Sequence, residues 1–198
     1  TPTAGWAQAI DYHRNVLNDP AYENALDVVL GGDGSVASTG FWAALTMATT
    51  QQLPMLFYIE DNGFGISVPS TFQTPGGNIA ANLSGWGGLT IFAGDGTDPA
   101  EAARLVDEAV AHVRTQRAPA LLRLTVPRLQ GHSFQDTQTY KSDEFVASEW
   151  ARDPLPKLEA YLEPLLEAGE WDALRERAEA DAEAAREVAE ARPAAEPE

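Results

Sequence analysis

Apolar residues along this chain fall into two kinds of run. Four runs are short, continuous and rich in β-branched or aromatic side chains: residues 26–30 (LDVVL), 55–59 (MLFYI), 89–92 (LTIF) and 121–126 (LLRLTV). Continuous apolar strands of this length suit a parallel sheet covered on both faces. Between them apolar positions recur at helical spacing, which predicts helices over residues 6–17, 36–51 and 98–115. The third is the best marked, with Asp98 as N-cap, Pro99 at the first helical position and Glu101 as the reciprocal acid of a capping box. Strand–helix alternation of this kind predicts a doubly wound α/β fold around a mainly parallel sheet. Beyond Pro154, the positions Leu155, Leu158, Tyr161, Leu162, Leu165 and Leu166 predict an amphipathic helix packing on that core. The expected organisation is an α/β domain over 1–150, a C-terminal helical extension over 151–190, and an acidic Pro/Ala tail or linker over 191–198.

Charge changes the picture. Thirty acidic residues face thirteen basic ones among 198, a net charge of −17. The excess speaks against nucleic acid and against an anionic membrane as partners, because both attract clustered Lys and Arg. No apolar run approaches the roughly twenty residues that span a bilayer, and the first residues lack the basic and apolar regions of a signal peptide. Cysteine is absent, which removes disulfides, thiolate nucleophiles and Cys-ligated metals from consideration. These features lead us to expect a cytoplasmic protein.

The candidate chemistry sits at one turn. Gly31-Gly32-Asp33-Gly34-Ser35 follows the first apolar run and precedes a predicted helix. A glycine turn from strand to helix presents backbone N–H groups to phosphate oxygens and leaves φ > 0 accessible. Neither the dinucleotide fingerprint nor the P-loop lysine is present. An Asp stands there instead, and a carboxylate beside a phosphate is repulsive unless a cation lies between. The turn therefore suggests a hard metal ion bridging protein and diphosphate. Asn62 follows the second apolar run and precedes the flexible Gly63-Phe64-Gly65. If the two runs are neighbours in a parallel sheet, both turns emerge at its carboxyl edge, where open α/β sheets bind ligands. Asp33, Asn62 and a nearby backbone carbonyl can then share one Mg²⁺, whose other positions go to substrate phosphates and water.

Gly32-Asp33-Gly34, twenty-seven further residues and Asn62 resemble the thiamine-diphosphate-binding motif. The surrounding text resembles the alpha subunit of the decarboxylating component of 2-oxo acid dehydrogenase complexes, a family of pyruvate, branched-chain and acetoin enzymes. It includes Gln52-Leu53-Pro54, the stretch Asp61-Asn62-Gly63-Phe64-Gly65-Ile66-Ser67-Val68-Pro69, Arg128-Leu129-Gln130-Gly131-His132-Ser133, Trp150 and Arg152-Asp153-Pro154-Leu155. The resemblance implies that Asp33, Asn62 and the Phe64 carbonyl hold Mg²⁺, and that Gly32, Gly34 and Ser35 belong to the diphosphate cradle. It implies His132 both as a cofactor-binding residue and as an active-site acid–base residue. Ser133 occupies a place that is phosphorylated in some members of the family.

The implied activity is oxidative decarboxylation of a 2-oxo acid, branched-chain or pyruvate, with acyl transfer to a lipoyl-lysine. The implied partners are a beta subunit, which carries the Glu that activates the cofactor's aminopyrimidine, and a lipoyl-bearing acyltransferase core. Two departures stand out. Ser38-Thr39-Gly40 replaces the family's acid- or amide-Gly pair, and only thirty-one residues precede the Gly-Asp-Gly turn, far fewer than in the family. The latter leads us to expect a fragment or one piece of a fused protein. A transketolase-like enzyme and a non-catalytic flavodoxin-like binding module are the competing readings. Gly94-Asp95-Gly96, His13 and His112 are expected to be structural.

Overall fold

The computed structural model describes residues 2–194. The chain divides into two compact units, one ending at Pro154 and the other beginning at Leu155.

The first unit is built on a four-stranded, all-parallel sheet: β1 (Asp27–Gly32), β2 (Met55–Asp61), β5 (Thr90–Asp95) and β6 (Ala120–Thr125), in the order β1-β2-β6-β5. A two-residue antiparallel ribbon, β3 (Phe64–Gly65) with β4 (Val68–Pro69), follows β2. Helices α1 (Pro2–Asn15), α2 (Thr39–Gln51), the short α3 (Ile79–Asn82), α4 (Pro99–Gln116) and α5 (Asp143–Trp150) complete the unit. Alternation along the strands sorts two cores. Phe57, Ile59 and Leu121 face one way, onto Ala4 and Ala7 of α1, Phe41, Leu45 and Ala48 of α2, and Ile79 of α3. Leu56, Leu122 and Leu124 face the other way, onto Leu105, Ala109 and Val113 of α4. Each such fully buried aliphatic side chain contributes about 1.5–3 kcal/mol relative to exposure. Helices on both faces of a parallel sheet make this the doubly wound α/β fold that the alternation predicts.

The differences from expectation are local. The first strand runs on through Gly31 and Gly32 in parallel register with β2, Gly32 opposite Glu60. A 3₁₀ segment over Asp33–Ala37 follows, so α2 starts at Thr39 rather than at 36, with the Ser38 hydroxyl accepting from Phe41 N–H as its cap. That Ser38 cap satisfies one of the free N–H groups of the first helical turn. At α4, Asp98 accepts from the N–H groups of Ala100 and Glu101 as predicted. The reciprocal half of the box is not made, because Asp98 N–H donates to the Asp95 carbonyl. The edge strand β1 is also not covered on both faces: Val28 is 42% and Leu30 72% exposed. Helix α4 packs on β2, β5 and β6.

The second unit contains the helix continuing from Pro154 (α6, Pro154–Leu162), a 3₁₀ turn over Glu163–Leu165 and the long helix α7 (Glu170–Glu190). Pro164 ends α6 early, since proline removes a helical donor. No residue of α6 or α7 is buried. The tail expected over 191–198 lies, from residue 195 onward, outside the described residues.

Candidate functional site

Because the sheet is parallel, β1, β2 and β6 all release their chains at one carboxyl edge, and the segments 33–37, 62–66 and 126–142 gather there. The glycines of the first turn serve close approach rather than unusual dihedrals, since Gly31, Gly32 and Gly34 are absent from the residues with positive φ. A Cβ on Gly31 would collide with the Ser35 Oγ, and one on Gly34 would lie 3.1 Å from the Gly65 Cα. It is Gly63, with φ of 78°, that needs the left-handed region.

Asp33 is the first residue of the turn and only 3% exposed. Neither of its carboxylate oxygens has a hydrogen-bond partner. The backbone N–H groups of Asp33 and Asn62 face the carboxylate and favour its ionised form without closing a hydrogen bond. Burial, and after it the negative charge of Asp61, push its pKa up from the ordinary carboxylate range. A buried polar atom without a partner is costly, so a carboxylate in this state suits a cation. Asn62 folds back on its own loop, its Oδ1 accepting from Phe64 N–H at 3.0 Å, and the amide oxygen keeps a second lone pair. Asp61 makes the same kind of turn one residue earlier, accepting from Gly63 N–H at 3.1 Å. Two successive side-chain-capped turns thus fix residues 62–64 beside Asp33.

The structure therefore brings Gly32, Asp33, Gly34, Asn62 and Phe64 together. Ser35 is exposed, with its hydroxyl donating to the Gly32 carbonyl at 2.6 Å. Among the described residues no three His, Asp or Glu side chains converge on a metal position. The available donors are one carboxylate, one amide oxygen and backbone carbonyls. That set matches Mg²⁺, which typically takes one or two carboxylates and fills its shell with water and substrate phosphates.

His132 differs from the rest. It stands exposed on the loop after β6, its backbone N–H donating to Asp136 Oδ2 at 2.8 Å. Among the described residues its ring makes no hydrogen bond. The loop that carries it is held by a network that composition and spacing did not reveal. Arg128 is buried and donates through Nη1 to the Ile66 carbonyl, and its Nη2 lies 3.6 Å from Asp136 Oδ2. Tyr140 donates its hydroxyl to Asp136 at 3.0 Å. The N–H groups of His132 and Gln138, the Tyr140 hydroxyl and the Arg128 charge all hold the Asp136 carboxyl below its usual range. Below them Lys141, with 1% of its side chain exposed, pairs with Glu149 and lies 4.9 Å over the Phe64 ring. The same Glu149 accepts the Arg128 backbone N–H at 2.9 Å. The polar residues between Arg128 and Glu149 were the available signal, but they sit in a stretch with no period.

In Gly94-Asp95-Gly96, Asp95 Oδ1 accepts from the Thr97 N–H and hydroxyl at the entry to α4. His13 stacks on Tyr22, and burial against Phe92 lowers the His112 pKa.

A parallel sheet with helices on both faces makes this a doubly wound α/β protein, and the buried, unpartnered Asp33 stands at the carboxyl edge of that sheet. Residues 3–198 match the model of the family described as "Dehydrogenase E1 component", and the chain belongs to that family. It is 32% identical over 145 residues to the 3-methyl-2-oxobutanoate dehydrogenase subunit alpha of Mycobacterium tuberculosis, covering 71% of this chain and 38% of that one. It is 34% identical over 134 residues to the 2-oxoisovalerate dehydrogenase subunit alpha of Bacillus subtilis, covering 66% and 40%. It is 30% identical over 161 residues to the human mitochondrial 2-oxoisovalerate dehydrogenase subunit alpha, covering 80% and 35%. The chain thus spans less than half the length of these curated relatives. No helix among the described residues is long and apolar enough to cross a membrane.

Proposed function

We propose that this chain is the cofactor-anchoring part of a thiamine-diphosphate-dependent 2-oxo acid dehydrogenase, acting on a branched-chain 2-oxo acid or pyruvate and passing the acyl group to a lipoyl-lysine. The observation that carries the reading is Asp33, buried at 3% exposure with both oxygens unpartnered, beside a loop fixed by Asn62. Thiamine diphosphate supplies the electron sink for decarboxylation when bound. The chain's own residues have narrower tasks. Asp33, Asn62 and the Phe64 carbonyl hold Mg²⁺, while the turn from Gly32 to Ser35 offers backbone N–H groups to the diphosphate. His132 donates or accepts a proton at the reacting end as a general acid–base residue. A carboxylate for the aminopyrimidine is assigned to a beta partner, so the chain alone is half of a site. The names of the alpha-subunit relatives and the family match support this reading.

Titration with thiamine diphosphate, with and without Mg²⁺, tests it. Binding should require the ion and vanish in Asp33→Ala; binding that ignores the ion or survives the substitution overturns the metal anchor. With a beta partner present, 2-oxo acid turnover measured with a dye acceptor should appear, and His132→Ala should abolish it. Turnover by the chain alone overturns the half-site assignment.

A further inference from the structure

Two buried carboxylates stand at neighbouring strand tips. Gly32 lies opposite Glu60 in the β1–β2 register, so one step further along each strand sets Asp33 beside Asp61. They are 3% and 6% exposed. Their surroundings are opposite in kind. The Asp33 oxygens have no partner, whereas both Asp61 oxygens are engaged: Oδ1 by Gly63 N–H, and Oδ2 by the Nε of Arg123 at 2.6 Å. Arg123 is the only charged residue in the otherwise apolar first five positions of β6. It lies opposite Ile59, on the sheet face that also carries Leu121. A guanidinium in that position is costly to desolvate, and the cost is recovered only through a paired, well-aligned carboxylate. Without Arg123, a second free carboxylate would stand next to Asp33, ready to enter the coordination shell of any cation there.

We propose that Arg123 is a positioning residue that withholds Asp61 from the divalent ion. It turns Asp61 into the cap of the 62–64 loop, leaves Asp33 as the single carboxylate ligand, and so keeps coordination positions open for diphosphate oxygens. This rests on the metal-anchoring reading above. Two carboxylates in the shell would bind the bare ion more tightly and give less advantage to the diphosphate, since ligand charge and open positions set both quantities.

Mn²⁺ titrations of the 198-residue chain, read by the EPR signal of free ion with and without thiamine diphosphate, test this. Arg123→Gln should bind Mn²⁺ alone about tenfold more tightly, and the gain in ion affinity from added diphosphate should shrink by about the same factor. Arg123→Lys should restore wild-type behaviour, because a single Nε contact is within reach of an ammonium. The double variant Asp61→Asn/Arg123→Gln should also return to wild type in both quantities. Asp61→Asn alone should stay within about threefold of wild type, since Asp61 is not a ligand; this variant decides the matter if Arg123→Gln does not fold. Unchanged affinities in Arg123→Gln overturn the proposal, as does weaker ion binding that only tracks a lower melting temperature. Loss of ion binding in Asp61→Asn as complete as in Asp33→Asn also overturns it. Wild-type chain that binds no Mn²⁺ removes the metal anchor itself, and this inference with it.

Discussion

Gly34 and Gly65 lie against each other: a Cβ on Gly34 would come within 3.1 Å of the Gly65 Cα and 3.2 Å of Gln73 Oε1. This contact joins the turn after β1, which carries Asp33, to the loop after β2, which carries Asn62. Gly34→Ala should push the two loops apart by a few tenths of an ångström. We expect a stability loss of about 1 kcal/mol and a several-fold weaker Mg²⁺-dependent binding of thiamine diphosphate. Calorimetric titration beside a thermal melt separates the two effects, and unchanged binding would show that the approach is not needed.

Asp33→Asn should have opposite effects on stability and on binding. The folded state raises the Asp33 pKa, through burial and then through Asp61, so ionisation is penalised in the fold. That penalty is absent below the ordinary carboxylate pKa and grows as pH rises towards the raised value. In ion-free buffer at neutral pH the substitution should therefore stabilise the protein, by about 1–3 kcal/mol. Thermal melts in chelator check this, and a lower melting point would contradict it. Mn²⁺ binding should be lost.

Breaking the Lys141–Glu149 pair should be costly. Both side chains are buried, at 1% and 7% exposure, and Glu149 also accepts the Arg128 N–H. Glu149→Ala leaves the Lys141 ammonium with only the neutral acceptors Arg128 carbonyl and Gln138 Oε1, and the Arg128 backbone donor without a partner. It should cost about 3–5 kcal/mol in urea denaturation. Glu149→Gln, which keeps an acceptor, should cost visibly less.

The loop carrying His132 should loosen in acid. The Asp136 pKa is lowered in the fold, foremost by the His132 and Gln138 N–H groups. A depressed carboxylate contributes order above its ordinary pKa and loses that contribution as pH falls through the lowered value. Protection factors of the His132 and Gln138 amides should fall together in that range, and Asp136→Asn should reduce them already at neutral pH. Protection independent of pH would sink this assignment.

The sequence by itself determined the four sheet strands, the helices α2 and α4 and the turn that carries the candidate chemistry. It set the first helix at 6–17 where α1 runs over Pro2–Asn15, and it gave no sign of the β3–β4 ribbon, α3 or α5. Period and capping are local: the apolar blocks around Val29, Phe57, Phe92 and Leu122, and the Asp98 cap, need no distant partner to be read. The spacing of Asp33 and Asn62 could be read in the same way. Only the tertiary structure decided that Asp33 would be left without partners while Asp61, one residue before Asn62, would be taken up by Arg123. It also decided that Arg128, Asp136, Tyr140, Lys141 and Glu149 would join into one network, and that Val28 and Leu30 would stay exposed. Those outcomes depend on which strands become neighbours and on where α4 lies. Pairing between charges far apart in the chain leaves no periodic trace in the sequence, because their distance is set by sheet order rather than by residue spacing.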